Sequence, residues 1–249
     1  MIKAWQFLLA TGLLFSAGSL HATDYRLETW ADGLDHPWSI AFLPDGGALV
    51  TELRGTLYRL DGDGNAGEPL INVPPVYFAG QGGLFDVALH PEFEGNRLVY
   101  LSFAEGGAAD NGTAVARARL VDGALADVEV IFRNFTRKDT PVHYGGRLAF
   151  LADGSLLLTT GDGFDYREAA QDIRSGLGKV LRMNDDGTPA AGNPYPQSPY
   201  VFTYGHRNPQ GLAVTESGNI WLHEHGPRGG DEVNRILPGI NYGWPAITH

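Results

Sequence analysis

The stretch HYGGRLAFLADGSLLLTTGD, residues 143–162, decides how the rest of the chain is read. After His143 and Gly145-Gly146 an apolar run reaches Asp153-Gly154 and turns. It returns through Leu156, Leu157, Leu158, Thr159 and Thr160 to Gly161-Asp162. Two β-rich runs joined by Asp-Gly predict a β-hairpin. A hairpin brings its ends back to one edge of a sheet. His143 and Asp162 can then face one cleft, the histidine as a base and the carboxylate as the group that orients it. The competing reading makes both of them turn formers or surface groups at strand ends. This segment alone does not separate the two.

The hairpin is one of four similar units. The first runs from Pro37 to Gly64. The second runs from Gly83 to Phe103 and continues in TAVARARL, Thr113 to Leu120. The third is the hairpin itself, followed by GKVLRMNDDG, Gly178 to Gly187. The fourth runs from Pro209 to Gly226 and continues in DEVNRI, Asp231 to Ile236. Each reads as an apolar strand, a turn, a second apolar strand and a third strand with basic residues. A recurring unit of about 50 antiparallel residues predicts an all-β fold, a β-propeller, with an open β-sandwich as the rival. Loops on such a scaffold carry function, and two are long: Gly163 to Leu177, and the proline-rich Asp185 to Phe202. About four units fit between residues 23 and 249. The chain stops at NYGWPAITH with no strand to close a ring, so a fragment or a product cut short is expected.

Composition agrees with many short strands, since 34 Gly and 15 Pro punctuate the chain and 43% of residues are hydrophobic. The net charge of −11 argues against nucleic acid or an anionic membrane surface as a partner. With no cysteine there is no disulfide, thiolate metal site, cysteine nucleophile or lipoprotein anchor. Met1-Ile2-Lys3, the apolar Trp5 to Ala17 and Ser19-Leu20-His21-Ala22 read as a secretory signal, residues 1–22. The apolar run is short for a bilayer span, though a membrane anchor is the rival. A mature propeller domain over residues 23–249, periplasmic and without stable membrane insertion after signal removal, is expected.

Further candidates lie in YGHRNPQGL, Tyr204 to Leu212. Arg207 is a permanent cation with a planar donor fork, suited to a carboxylate or a developing oxyanion, or else a loop arginine paired with a surface acid. In HEHGPRGGDEVN, His223 and His225 suggest zinc, but no third ligand stands at metal spacing. The backbone carbonyls of Gly226-Pro227 and the carboxylate of Glu232 are calcium-type oxygens instead. Gln81, between glycines, can offer an amide to a ligand or be an ordinary loop residue. His90 reads as a turn cap. There is no P-loop, nucleophile elbow or dinucleotide fingerprint.

Taken together, GQGGLFDVALHPEF, HYGGRLAFLADGSLLLTTGD, YGHRNPQGL and HEHGPRGGDEVNRILPGINYGWP resemble the soluble quinoprotein sugar dehydrogenases that use pyrroloquinoline quinone (PQQ), the glucose/sorbosone dehydrogenase family. The likeness looks nearest to its bacterial periplasmic aldose sugar dehydrogenases and covers most of residues 35–245. It implies a six-bladed propeller with PQQ over the central channel, of which about four blades are present here. It implies His143 as the catalytic base, Asp162 as its supporting carboxylate and Arg207 as the arginine that binds PQQ and polarises its carbonyl. Asn208 and Gln81 match further PQQ contacts. Gly226 and Pro227 match the carbonyls that hold calcium against PQQ, and Glu232 and Tyr242 look like ligands of a second, structural calcium. The family's last two blades supply further cations around the cofactor and are lacking here. The implied reaction oxidises C1 of an aldose sugar to a lactone and passes the electrons to a soluble acceptor. Two alternatives stay open: a calcium-dependent sugar-lactone hydrolase, and a non-catalytic ligand-binding propeller.

Overall fold

A computed structural model describes residues 25–247, so the signal segment expected at 1–22 lies outside the described residues. The chain forms four antiparallel sheets in sequence order. The first holds β1 (Pro37–Phe42), β2 (Ala48–Glu52) and β3 (Thr56–Leu60). The second holds β4 (Leu84–Leu89), β5 (Leu98–Gly107), β6 (Asp110–Val121) and β7 (Ala124–Arg133), with one short helix, α1 (Phe93–Asn96), between β4 and β5. The third holds β8 (Leu148–Phe150), β9 (Leu156–Thr160), β10 (Lys179–Met183) and β11 (Val201–Tyr204). The fourth holds β12 (Pro209–Val214), β13 (Ile220–Glu224) and β14 (Glu232–Ile236). Each sheet is an up-and-down meander and packs face to face on the next, which makes an incomplete β-propeller.

The third sheet shows why the apolar runs are unbroken. Successive strand residues point to opposite faces. Leu156 and Leu158 of β9, with Leu181 and Met183 of β10, face the second sheet, where they meet Tyr100, Val115 and Phe132. Leu157 and Val180 face the fourth sheet and meet Ile220, Leu222 and Ile236. A sheet covered on both faces needs apolar residues in both phases. The fourth sheet is covered on one face only, and β13 alternates accordingly. Ile220 and Leu222 are buried, while Trp221 is 42% and Val233 of β14 is 73% exposed on the other face.

Two strands escape the expected unit of three. β7 is polar and half exposed, and β11 lies inside the proline-rich stretch read as a loop. Both are outermost strands, but only β7 has little core to fill: in β11 Val201 packs into the core shared with the second sheet and Phe202 into that shared with the fourth. The hairpin itself forms as expected, with Leu148 opposite Leu158 and Phe150 opposite Leu156. Its turn is closed by the Leu151–Ser155 pair, and Gly154 takes the left-handed conformation at φ 81°.

The innermost strands β1, β4, β8 and β12 are cross-linked by polar bonds. Ser39 Oγ and Leu148 N both donate to the Asp86 carboxylate, and Arg147 Nε donates to Gln210 O at 2.6 Å. Burial pushes the Asp86 carboxyl up, against these donors. One buried acid and one arginine thus tie four sheets together around the channel, and the site is built on the loops at one end of it.

Candidate active site

The hairpin brings its ends together as its sequence predicts. His143 Nδ1 lies 2.7 Å from Asp162 Oδ1, with His143 6% and Asp162 1% exposed. A carboxylate only accepts, so Nδ1 carries the hydrogen and, in the neutral imidazole, Nε2 keeps its lone pair. No bond to Nε2 is formed among the described residues, and the ring lines a cavity with Asp162, Phe164, Asp165, Arg167, Arg207, Pro227, Arg228 and Trp244 of about 470 Å³. His143 holds a left-handed backbone, φ 52°, and so does Phe164 at φ 67°. Such conformations are uncommon outside glycine and persist where the surroundings over-determine them. The surroundings are visible here. Gln81 Oε1 accepts from His143 N at 2.8 Å. Gly161 lets the His143 backbone pass so closely that a Cβ there would stand 2.3 Å from the His143 carbonyl oxygen.

Asp162 is fixed from three directions. Phe164 N donates to Oδ1 at 2.8 Å and Trp244 Nε1 donates to Oδ2 at 2.7 Å, alongside the histidine. Its backbone N–H donates to Arg207 O at 2.8 Å. This bond joins the end of β9 to the residues before β12, and so places Arg207 beside the pair. The Arg207 guanidinium donates to His225 O at 3.1 Å and stands 5.4 Å from the Trp244 ring centre. Asn208 is buried and lines a second cavity of about 260 Å³ with Gln81, Tyr144, Gly145 and His225. The proposed contacts Gln81, Arg207 and Asn208 are therefore neighbours of the His143 pair, though they come from two loops far apart in sequence.

The calcium-type residues divide. Gly226, Pro227 and Glu232 line one small hollow with Arg207 and Trp244, and Pro227 also borders the His143 cavity. Gly226 sits where a Cβ would meet Gly229 O at 2.1 Å, so this loop closes only on glycine. Tyr242 does not line that hollow. Its hydroxyl donates to Arg235 O at 2.7 Å and accepts from Leu237 N at 2.9 Å. The phenol is thus a brace for the exit of β14, which leaves only backbone oxygen to offer a cation. His223 and His225 are both exposed, and the described residues contain no group of three His, Cys, Asp or Glu placed to hold a metal.

The family model for glucose/sorbosone dehydrogenase matches residues 34–249. The chain belongs to that family. It is 43% identical over 241 residues to protein slr1608 of Synechocystis, covering 87% of this chain and 58% of that one. It is 40% identical over 251 residues to the aldose sugar dehydrogenase YliI of Escherichia coli, covering 97% and 67%. The PQQ-bound aldose sugar dehydrogenase of Streptomyces coelicolor superposes with a TM-score of 0.79 at 39% identity, over 89% of this chain and 66% of that one. The chain therefore spans roughly three fifths to two thirds of these proteins' lengths.

Within this member of the glucose/sorbosone dehydrogenase family, several residues that build the site carry little sequence signal. Trp244, beyond the last strand, reaches Asp162 across 82 residues. His206 and Glu224 form a second buried pair at 2.8 Å. Glu224 is the middle residue of the histidine-rich stretch, and its Oε2 accepts from Arg207 N at 2.6 Å. Its burial was readable from alternation, because Glu224 shares the phase of Ile220 and Leu222. Lys138 is buried under Tyr144, its ammonium 3.5 Å from that ring centre and bonded to Asn111 Oδ1 and to Thr140 O. Burial holds that amine down to about 7. Thr140 Oγ1 in turn donates to Gly163 O at 2.6 Å, which pins the residue after Asp162.

Proposed function

We propose that this chain carries the catalytic site of a periplasmic quinoprotein that oxidises the C1 hydroxyl of an aldose to the lactone, with PQQ and calcium as its resident groups and a soluble electron acceptor. The observation that carries this reading is the free Nε2 of His143, oriented by Asp162 and opening onto the cavity that also holds Arg207.

The residues present fit both groups. PQQ is a tricarboxylate, and although the whole chain is at −11, Arg167, Arg207 and Arg228 all line the one cavity. Arg228 is in no ion pair among the described residues. The side-chain NH₂ groups of Gln81 and Asn208 donate to nothing there, and the Gly226 and Pro227 carbonyls accept nothing. Free amide donors suit quinone oxygens and carboxylates, and free carbonyl oxygens suit a hard cation such as calcium. When bound, PQQ supplies the two-electron acceptor for the C1 hydride and calcium the positive charge beside its oxygens.

The chain's own residues do the rest. His143 Nε2 takes the proton of the C1 hydroxyl. Asp162 keeps the imidazole in one tautomer, and its charge stabilises the imidazolium that results. Arg207 sets a positive potential where negative charge develops, an effect that is often a large part of catalysis. No described helix is long and apolar enough to cross a membrane.

The test mixes the purified protein, as its gene encodes it, with PQQ, calcium and glucose and follows reduction of an artificial dye. Reduction that requires both PQQ and calcium is expected. A silent dye together with calcium-dependent opening of a sugar lactone would replace this reading with the hydrolase. Silence in both assays with PQQ still bound would leave a binding propeller.

A further inference from the structure

Asp162 is 1% exposed, and its two oxygens are unequally served. Oδ1 receives both His143 Nδ1 and Phe164 N, whereas Oδ2 receives only the indole N–H of Trp244. Without that indole, a buried carboxylate oxygen has no donor, and the carboxylate is free to turn about its Cβ–Cγ bond and exchange oxygens beneath the histidine. An unpaired buried acceptor is costly, so the group would shift to find a partner.

The indole is itself held. Trp244 N donates to Gly205 O at 3.0 Å, and Gln171 Nε2 donates to Trp244 O at 2.6 Å. Gln171 and Asn241 exchange two side-chain bonds, and Asn241 Oδ1 also accepts from Gly243 N. The segment that leaves the fourth sheet is thereby bolted to the loop that follows Asp162. From that anchor Trp244 turns its polar edge to Asp162 and its face to the Arg207 guanidinium, 5.4 Å away. It thus bonds to the base's partner and lies beside the cofactor-side cation.

We propose that Trp244 is a positioning residue: its N–H locks Asp162 so that His143 presents Nε2 to the cavity, and its ring steadies Arg207. This rests on the reading of His143 as the base, but its structural half is testable without cofactor or sugar. The probe is the His143 Nδ1 proton, identified in the NMR spectrum of the full apoprotein as the downfield imidazole signal lost in His143→Asn. In wild type it is expected to exchange slowly. In Trp244→Phe, which keeps a ring and deletes the donor, it is expected to broaden into solvent exchange. With PQQ, calcium and sugar, the same variant should lose about ten- to hundredfold in kcat with KM within about twofold, as misplacement of a working group does. Trp244→Leu, which also removes the ring face, should weaken PQQ binding in addition.

An unaltered Nδ1 proton in Trp244→Phe overturns the proposal, even if melting temperature and activity both fall, because that pattern is general loosening. Should Trp244 variants not fold, wild type and Asp162→Asn suffice. The Trp244 indole proton must move on that substitution, and a set of indole signals that does not respond overturns the proposal equally. If wild type itself shows no sugar oxidation, the proton exchange results still stand or fall alone.

Discussion

Two buried histidine–carboxylate pairs lie in neighbouring sheets, and only one of them is equipped for chemistry. His143–Asp162 and His206–Glu224 have nearly the same Nδ1 to oxygen distance, 2.7 and 2.8 Å. In the second pair the other ring nitrogen is also taken, by Thr203 Oγ1 at 2.9 Å. The ring is fully buried and stacks on Tyr242 at 4.8 Å. Glu224 spends its remaining capacity on Arg207 N and Asn234. That pair fastens the loop bearing Arg207 to the fourth sheet. In the first pair Nε2 is unclaimed and faces a cavity. What makes a histidine a base is therefore an unclaimed second nitrogen with room in front of it, since the carboxylate partner is common to both.

The largest effect expected from this contrast is in His143→Asn. Removing a general base lowers turnover by about a thousandfold or more, while the melting temperature and PQQ affinity stay near wild type. Equal loss of turnover and of PQQ binding would show that His143 holds the cofactor and is no base.

The mirror experiment is His206→Gln. Breaking a buried pair leaves Glu224 without its partner and is expected to destabilise by about 3 kcal/mol in denaturant unfolding. Turnover well below the melting temperature should remain within about threefold. A variant of wild-type stability with severely reduced kcat would erase the distinction between the two pairs.

The last effect is one of pH and sharpens the scaffolding side. His206 N donates to Gly178 O, next to Lys179. That lysine is fully buried, and its ammonium donates to the carbonyls of Ala169, Ala170 and Leu177. Burial pushes the amine down to about 7 from 10.5. Between those values the unfolded chain binds a proton that the folded chain has released. The stability contributed at this position is therefore lowest below pH 7 and rises towards pH 10.5, by up to about 1.4 kcal/mol per pH unit. Lys179→Met should lack that slope, so that the difference in stability between wild type and variant itself changes with pH. The same pH dependence in both would mean that the three carbonyls hold the ammonium charged against its burial.

These residues also show where sequence patterns reach and where they stop. The hairpin was legible because its turn chemistry is local and its strands are continuous apolar runs. His143 and Asp162 were legible because a hairpin returns its ends to one place. Glu224 and Lys179 were legible as buried positions, since each shares the phase of apolar neighbours in its strand, but their partners were not. Lys179 finds carbonyls in the loop before it, and Glu224 finds a histidine in another strand's approach. β7 was missed because one of its faces is poorly covered and loses the apolar signature, and β11 because it is four residues long and begins inside a proline-rich stretch.

By itself the sequence determined the all-β class, the recurring unit, the turn at Asp153-Gly154 and the approach of His143 to Asp162. These depend on interactions within a few residues and on a two-residue period. Tertiary structure alone decided which of two histidine pairs keeps a free nitrogen, that Tyr242 braces a strand exit with its hydroxyl, and that Trp244 reaches back 82 residues to Asp162. Such contacts arise where separate sheets stack around one channel, and no local pattern encodes which loop meets which.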